Sequence, residues 1–338
     1  MQADRLLRAW EGDPDIDAWL VPHNPLPPRP LRYAVSVKYA RTVATEMTYV
    51  PLLVRELARA DVVHVFSASY FSFLLAPLPA IVVARALGRP VVVHYHSGEA
   101  PDHLARSSVA RAALARTDLN VVPSSFLAGI FSSFGLPACV IPNLVDPRAF
   151  SFRERRPLRP RVLSTRNFEP LYNVACTLRA FGRFQAQQPS ASLTLVGGGT
   201  EEPRLQRLAA ELGLRSVVFA GRVHPDTIAG YYAEHDVYVQ SPSIDNMPVS
   251  ILEAYASGLP VVSTSVGGIP AILTDNQHGL LAPDDDDEIL ASQMTRLFTE
   301  PGLADRLTAN AYATCHAYSW PSIRTQWLDL YRGRAHAN

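Results

Sequence analysis

Residues 241–264 read SPSIDNMPVSILEAYASGLPVVST, and this order of residue types decides the fold. A β-branched and aromatic run, Val237–Gln240, comes just before it and reads as a strand. Ser241 to Met247 then form a loop. Pro248 suits the first position of a helix, and Val249 to Ser257 carry that helix until Gly258 stops it. Leu259-Pro260-Val261-Val262 enters a further strand, apolar enough to be buried on both faces. Strand, loop, helix and strand in this order are the unit of a parallel sheet.

The same rhythm extends in both directions. In the first half the spacing predicts strands at Asp17–Val21, Asp61–Phe66, Pro90–Tyr95, Leu119–Val122 and Cys139–Ile141, with a helix from about Ser36 to Ala60 that Pro51 kinks or splits. In the second half it predicts strands at Arg161–Ser164, Leu193–Val196, Val217–Phe219, Val237–Gln240 and Pro260–Ser263. Asp146 to Pro160, rich in Pro and Arg and without periodicity, reads as a hinge between two domains. A pair of helices closes the chain over Asp286–Arg334. The expected architecture is α/β, two doubly wound domains: residues 1–150, then 151–315, with 316–338 a helix packing back on the first. Ligands in such folds sit beyond the carboxyl ends of the strands, here in the cleft between the domains.

Composition narrows the function. The chain has 338 residues, 48% hydrophobic and 18% charged, with 31 Lys+Arg balanced by 31 Asp+Glu. That balance supplies no broad field for nucleic acid or anionic lipid. Cys139, Cys176 and Cys315 lack metal-ligand spacing and read as reduced thiols of a cytoplasmic protein. The apolar run Phe71–Ala84 is interrupted by Pro77 and Pro79 and is too short to span a bilayer, which leaves room for peripheral membrane contact only.

Chemistry is expected at the strand ends. Gly197-Gly198-Gly199-Thr200 follows a strand and opens the helix of Glu202 to Leu212. Bare backbone there suits a phosphate, and it equally suits a plain turn. At the helix after Pro248, the amides of Val249, Ser250 and Ile251 together with the dipole form an anion site. Glu253, one turn on, accepts hydrogen bonds from vicinal hydroxyls. Asp245 reaches the other side of the anion from the loop. A nucleoside diphosphate sugar fits this arrangement, with an acid at each end; a capping Asp and a solvated Glu fit the spacing too.

The second half resembles the family 4 glycosyltransferases of the two-domain GT-B type. The likeness rests on the acid, seven residues, acid signature Asp245…Glu253, on VGGIPAIL and GLL after it, and on LVGGGTEEPRL, VVFAGRV, IPNLVD (Asn143, Asp146) and VVPSSF (Ser124). The resemblance implies a retaining transfer of the hexosyltransferase type, from a UDP- or GDP-linked sugar to a saccharide, lipid-linked or small-molecule acceptor, with no metal and no cofactor. It implies that Glu253 binds the ribose, that Asp245, where the family usually has Glu, contacts the donor sugar, and that Arg166 holds the diphosphate. Val249, Ser250, Met247 and Gly198 fall in the donor site. The family's lysine is replaced by Leu171-Tyr172-Asn173, so Tyr172 donates a hydrogen bond in its place or Arg222 supplies a second cation. His96, in VVVHYHSGEA, corresponds to the family's histidine near the donor sugar, while His94 and His64 read as satisfied polar residues. Gly98 and Glu99 then line the acceptor side, along with loops such as the Pro-rich Asn24–Arg32.

A glycosidase using both acids fits poorly, since both sit beside a helix N-terminus suited to phosphate. Family members open with a strand and a Gly-rich turn, whereas Gln2–Trp10 reads as the helix after that turn. Either the start lies upstream or the N-terminal domain is incomplete, and the second option raises the alternative of a non-catalytic GT-B-like binding protein. The run Asp284–Asp287 reads as a solvated cap for the helix from Glu288.

Overall fold

The computed structural model describes residues 2–25 and 38–333. Its contacts divide the chain into two units, Met1–Pro142 with Thr325–Asn338, and Asn143–Arg324. Each is built on a parallel sheet.

The N-terminal unit holds β1 (Val63–Phe66), β2 (Val91–His94), β3 (Leu119–Val122) and β4 (Cys139–Val140), hydrogen-bonded in that order. The Val-Val-Val-His run of β2 is buried at every position, as a parallel strand covered on both faces requires. Phe73, Tyr95, Leu104 and Phe131 fill the core around it.

Asp17–Val21 is not a strand. Trp19 and Leu20 are exposed, and the Arg59 guanidinium lies over the Trp19 ring, 5.3 Å from its centroid. Apolar composition does not make a strand where no face is covered and no edge is paired. Pro51 neither splits nor ends its helix, which runs unbroken over Lys38–Leu57. Tyr49, Leu53 and Leu57 are buried on one side of that helix, which packs on the helix Pro77–Ala86. Burial of three large side chains outweighs one lost hydrogen bond. Ser36, Val37 and residues 26–32 of the Pro-rich loop lie outside the described residues.

The C-terminal unit holds β5 (Arg161–Ser164), β6 (Ser192–Val196), β7 (Val217–Gly221), β8 (Val237–Val239), β9 (Val261–Thr264) and β10 (Leu280–Ala282), in the order β10-β9-β8-β5-β6-β7. This is the doubly wound order, reversing between β5 and β8, where Val162 faces Val237 and Leu163 faces Tyr238. Three helices close the chain, not two: Asp287–Thr299, Leu303–Cys315 and Trp320–Tyr331. Asp286 caps the first by accepting from the Ile289 amide at 2.9 Å.

The supposed hinge is fastened. The segment falls within Asn143–Arg324, the C-terminal unit. Arg155, buried within that unit, donates to the carbonyls of His235 (2.9 Å), Tyr232 (2.9 Å), Ser257 (2.6 Å) and Gly258 (2.8 Å). Arginine density and missing periodicity look like a linker in sequence; here the arginine is a staple with five fixed donors.

His94 and His64 are not fully satisfied. Neither ring nitrogen of His94, nor Nε2 of His64 or His96, has a hydrogen-bond partner among the described residues. His64 Nδ1 lies 2.7 Å from the Tyr331 hydroxyl, and the His64 and His94 rings each lie 5.0 Å from Trp327. Burial lowers the pKa of His64 to about 3 and of His96 to about 4, and pushes His94 well down, with neighbouring histidines adding to the effect for His64 and His94. Above about pH 6.5 these rings are neutral in both folded and unfolded chains. Below it the unfolded chain binds protons that the folded unit refuses, so stability falls as pH drops towards about 4 and then about 3. Each such ring contributes a slope of up to about 1.4 kcal/mol per pH unit. Urea midpoints should therefore drop between pH 7 and pH 5, and less steeply in a His94→Phe variant. A midpoint that does not move over that range would contradict the neutral cluster.

Candidate functional site

Where strand order reverses, connections depart to opposite faces and leave a crevice beyond the strand ends. β5 ends in Ser164 and β8 in Val239. The loop after β5 carries Thr165 and Arg166; the loop after β8 carries Gln240 to Met247 and delivers the helix Val249–Ser257. The distant sequence positions 166 and 245 are thus brought together by topology.

Arg166 Nη2 donates to Asp245 Oδ2, and Nη1 donates to Ser250 Oγ at 3.3 Å. The two side chains of the ion pair are 10% and 12% exposed. Burial opposes the charge on Arg166, but Asp245 and then Tyr238, Tyr172 and Tyr232 outweigh it and hold its pKa above the ordinary value. Tyr172 comes from the turn Pro170–Tyr172, and its ring centroid lies 4.1 Å from the guanidinium carbon. Where the resemblance placed a lysine, this chain therefore sets an aromatic face under its arginine.

Glycines seat both loops. A Cβ on Gly197 would fall 2.0 Å from the Arg166 carbonyl oxygen, and one on Gly267 would fall 1.9 Å from that of Asp245. The Gly268 amide donates to the same Asp245 carbonyl at 3.1 Å, and Asp245 Oδ1 accepts from the Asn246 amide at 2.8 Å. A Cβ on Gly199 would likewise fall 2.3 Å from the Phe168 carbonyl oxygen, whereas one on Gly198 would meet only the Arg222 side chain, and the Glu201 amide beside the triplet donates to the Phe168 carbonyl at 2.9 Å. Arg222 is exposed, with its side chain over Gly198 and Nη2 3.4 Å from the Gly198 carbonyl.

Pro248 is the N-cap, not the first helical residue, at φ −68 and ψ 116. The Ile251 amide donates to the Pro248 carbonyl at 3.2 Å, which corrects the expected trio of offered amides. Val249 and Ser250 remain, since the first helical positions have no preceding turn to bond. Met247 is buried, and its carbonyl accepts from Asn143 Nδ2 at 2.8 Å.

Glu253 is only 6% exposed, and its Oε2 accepts from the Tyr232 hydroxyl at 3.0 Å. That hydroxyl is 2.7 Å from Thr165 Oγ1. Tyr232 and Thr165 were not singled out in the sequence. One of the adjacent tyrosines in GYYAEHD had to be buried with its hydroxyl needing a partner, and Thr165 directly precedes Arg166, but neither signal names Glu253. His96, Gly98 and Glu99 belong to the N-terminal unit, all half-buried. His96 follows β2, and the Glu99 amide donates to Ser97 Oγ at 3.2 Å.

A six-stranded doubly wound sheet, with an arginine, two acids and a helix N-terminus gathered at its reversal, joined in one chain to a second parallel α/β unit, defines the GT-B class. Solved structures agree on the fold: an Anabaena protein, HepE, in complex with UDP and glucose superposes with TM-score 0.73 over 84% of this chain and 81% of that one at 20% identity. A sucrose-phosphate synthase from Thermosynechococcus elongatus gives 0.72 over 95% and 86% at 22% identity. Residues 148–314 match the glycosyl transferases group 1 and residues 6–149 match glycosyltransferase family 4. The chain belongs to the family 4 glycosyltransferases.

Its relatives include a sulfoquinovosyl transferase of Arabidopsis thaliana, 27% identical over 77% of this chain and 54% of the relative. A D-inositol 3-phosphate glycosyltransferase of Acidothermus cellulolyticus is 31% identical over 51% of this chain and 40% of the relative. The chain thus spans about half or less of the length of these two. A GDP-mannose-dependent α-(1-6)-phosphatidylinositol monomannoside mannosyltransferase of Mycolicibacterium smegmatis is 27% identical over 80% of this chain and 76% of the relative.

Proposed function

We propose that this glycosyltransferase moves a hexosyl group from a UDP- or GDP-linked sugar to an acceptor hydroxyl with retention of anomeric configuration. The observation that carries the reading is the meeting of Arg166 and Asp245 over the N-terminus of the helix that bears Glu253. The amides of Val249 and Ser250 and the Arg166 guanidinium suit a diphosphate, and Glu253 suits the ribose hydroxyls. Asp245 now takes the Nη2 donor of Arg166. A diphosphate would take its place there and release the Asp245 carboxylate to the hydroxyls of the donor sugar. Leaving-group charge then develops against Arg166, which lies over the Tyr172 ring, with no lysine beside it. The acceptor hydroxyl attacks from the leaving group's side and gives its proton to a donor phosphate oxygen, so the protein supplies orientation and charge. Names among the relatives, which cover an inositol phosphate and a phosphatidylinositol mannoside, favour a polyol or saccharide acceptor, free or lipid-linked. No helix among the described residues is long and apolar enough to cross a membrane.

Two substitutions test the assignment by calorimetry with free UDP and GDP and by turnover of their sugars. Glu253→Gln should weaken nucleotide binding by about 1–3 kcal/mol, the scale of a lost charged hydrogen-bond partner; unchanged affinity for both nucleotides would sink the ribose assignment. Asp245→Asn should lose turnover yet bind free diphosphate as tightly as the parent or more so, because the competing carboxylate is gone. Weaker diphosphate binding in that variant would show that Asp245 does not compete for Arg166.

A further inference from the structure

Glu253 and Arg166 are joined by buried hydroxyls and an amide, of which only Ser250 lies within the sequence motif, and Thr165 Oγ1, 3.3 Å from the Tyr238 hydroxyl, links the two halves of the network. Ser250 Oγ, which accepts from Arg166 at 3.3 Å, donates to Gln240 Oε1 at 3.1 Å. Tyr238 donates to that same oxygen at 3.2 Å. On the other side, Thr165 Oγ1 lies 2.7 Å from the Tyr232 hydroxyl, which donates to Glu253 Oε2 at 3.0 Å. Tyr232 and Tyr238 are both fully buried.

The proton directions follow from the ends. A carboxylate only accepts, so the single Tyr232 proton goes to Glu253, and Thr165 must then donate to the Tyr232 oxygen. A guanidinium only donates, so the Ser250 proton goes to Gln240. The Ser250 carbonyl oxygen, 3.3 Å from the Tyr232 hydroxyl, is a second and longer acceptor, so rotation of the Glu253 carboxyl group would cost the buried hydroxyl its shorter, charge-assisted bond and leave it only that carbonyl, a weaker arrangement.

We propose that Tyr232 is the positioning residue for the ribose-binding carboxylate: its hydroxyl, backed by Thr165, fixes the rotation of Glu253 so that the carboxylate meets the vicinal hydroxyls of a ribonucleotide and discriminates against a sugar lacking them. This rests on the donor reading above. Burial and then Glu253 hold the phenol pKa well above its ordinary value, which keeps the donating proton in place. Tyr232 touches no part of the ligand in this account; it acts through Glu253.

The test is calorimetry on the full chain with UDP and GDP and with their 2′,3′-dideoxy counterparts. The parent should prefer the ribonucleotide. Tyr232→Phe, which keeps the buried ring, should reduce that preference roughly five- to tenfold, with dideoxynucleotide affinity unchanged, KM raised more than kcat is lowered, and little further loss on adding Glu253→Gln. An intact preference, or equal loss for both nucleotide types as from a general disturbance of the fold, overturns the proposal. Should Tyr232→Phe not fold, Thr165→Val carries the same comparison, with a smaller narrowing expected and none overturning it. A parent protein that binds both nucleotide types equally rejects the Glu253 assignment itself, a result separate from any behaviour of the variants.

Discussion

The ion pair between Arg166 and Asp245 is the constraint on which the C-terminal unit's site depends. Taking both charges largely out of water costs several kcal/mol per ion unless the pair is well bonded. Here the bonding is supplied by Ser250, the Tyr172 ring and the amides of Asn246 and Gly268, the last through the Asp245 carbonyl. The glycines at 197 and 267 then cease to look like turn residues. They are the points where β6 and the loop after β9 press against the backbone of the two charged residues. A side chain at either would push one partner of the pair away.

That constraint also links fold to chemistry. The reversal of strand order between β5 and β8 makes a crevice but says nothing about what fills it. In the proposed reading the filling is set by a guanidinium that would exchange its carboxylate partner for a diphosphate, and by a second carboxylate bonded to Tyr232. The N-terminal unit is built differently. Its buried histidines under Trp327 and Tyr331 place unpaired ring nitrogens in a core, the feature from which its expected loss of stability in acid follows.

Much of this was legible in the sequence, for physical reasons that also mark where reading fails. Parallel strands buried on both faces leave unmistakable runs such as Val91–His94 and Val261–Thr264, and the helix at 249 is bounded by Pro248 and Gly258. Asp17–Val21 has similar composition, yet its burial and pairing depend on neighbours that composition does not name. Leu280–Ala282 was missed because three residues carry no period. The acids and Arg166 stood out through a family motif, whereas Tyr232 and Thr165 act through contacts between segments about 67 residues apart. The orphaned nitrogens of His94 were invisible for the same cause, since hydrogen-bond satisfaction is a property of packing.

The most direct measurement is a crystal structure of the chain with UDP or GDP bound. The account predicts the diphosphate against the amides of Val249 and Ser250, the Arg166 guanidinium turned from Asp245 onto a phosphate oxygen, and the ribose hydroxyls on Glu253 with its bond from Tyr232 intact. A nucleotide bound elsewhere, or one bound here with Arg166 still paired to Asp245 and no phosphate contact, would contradict it.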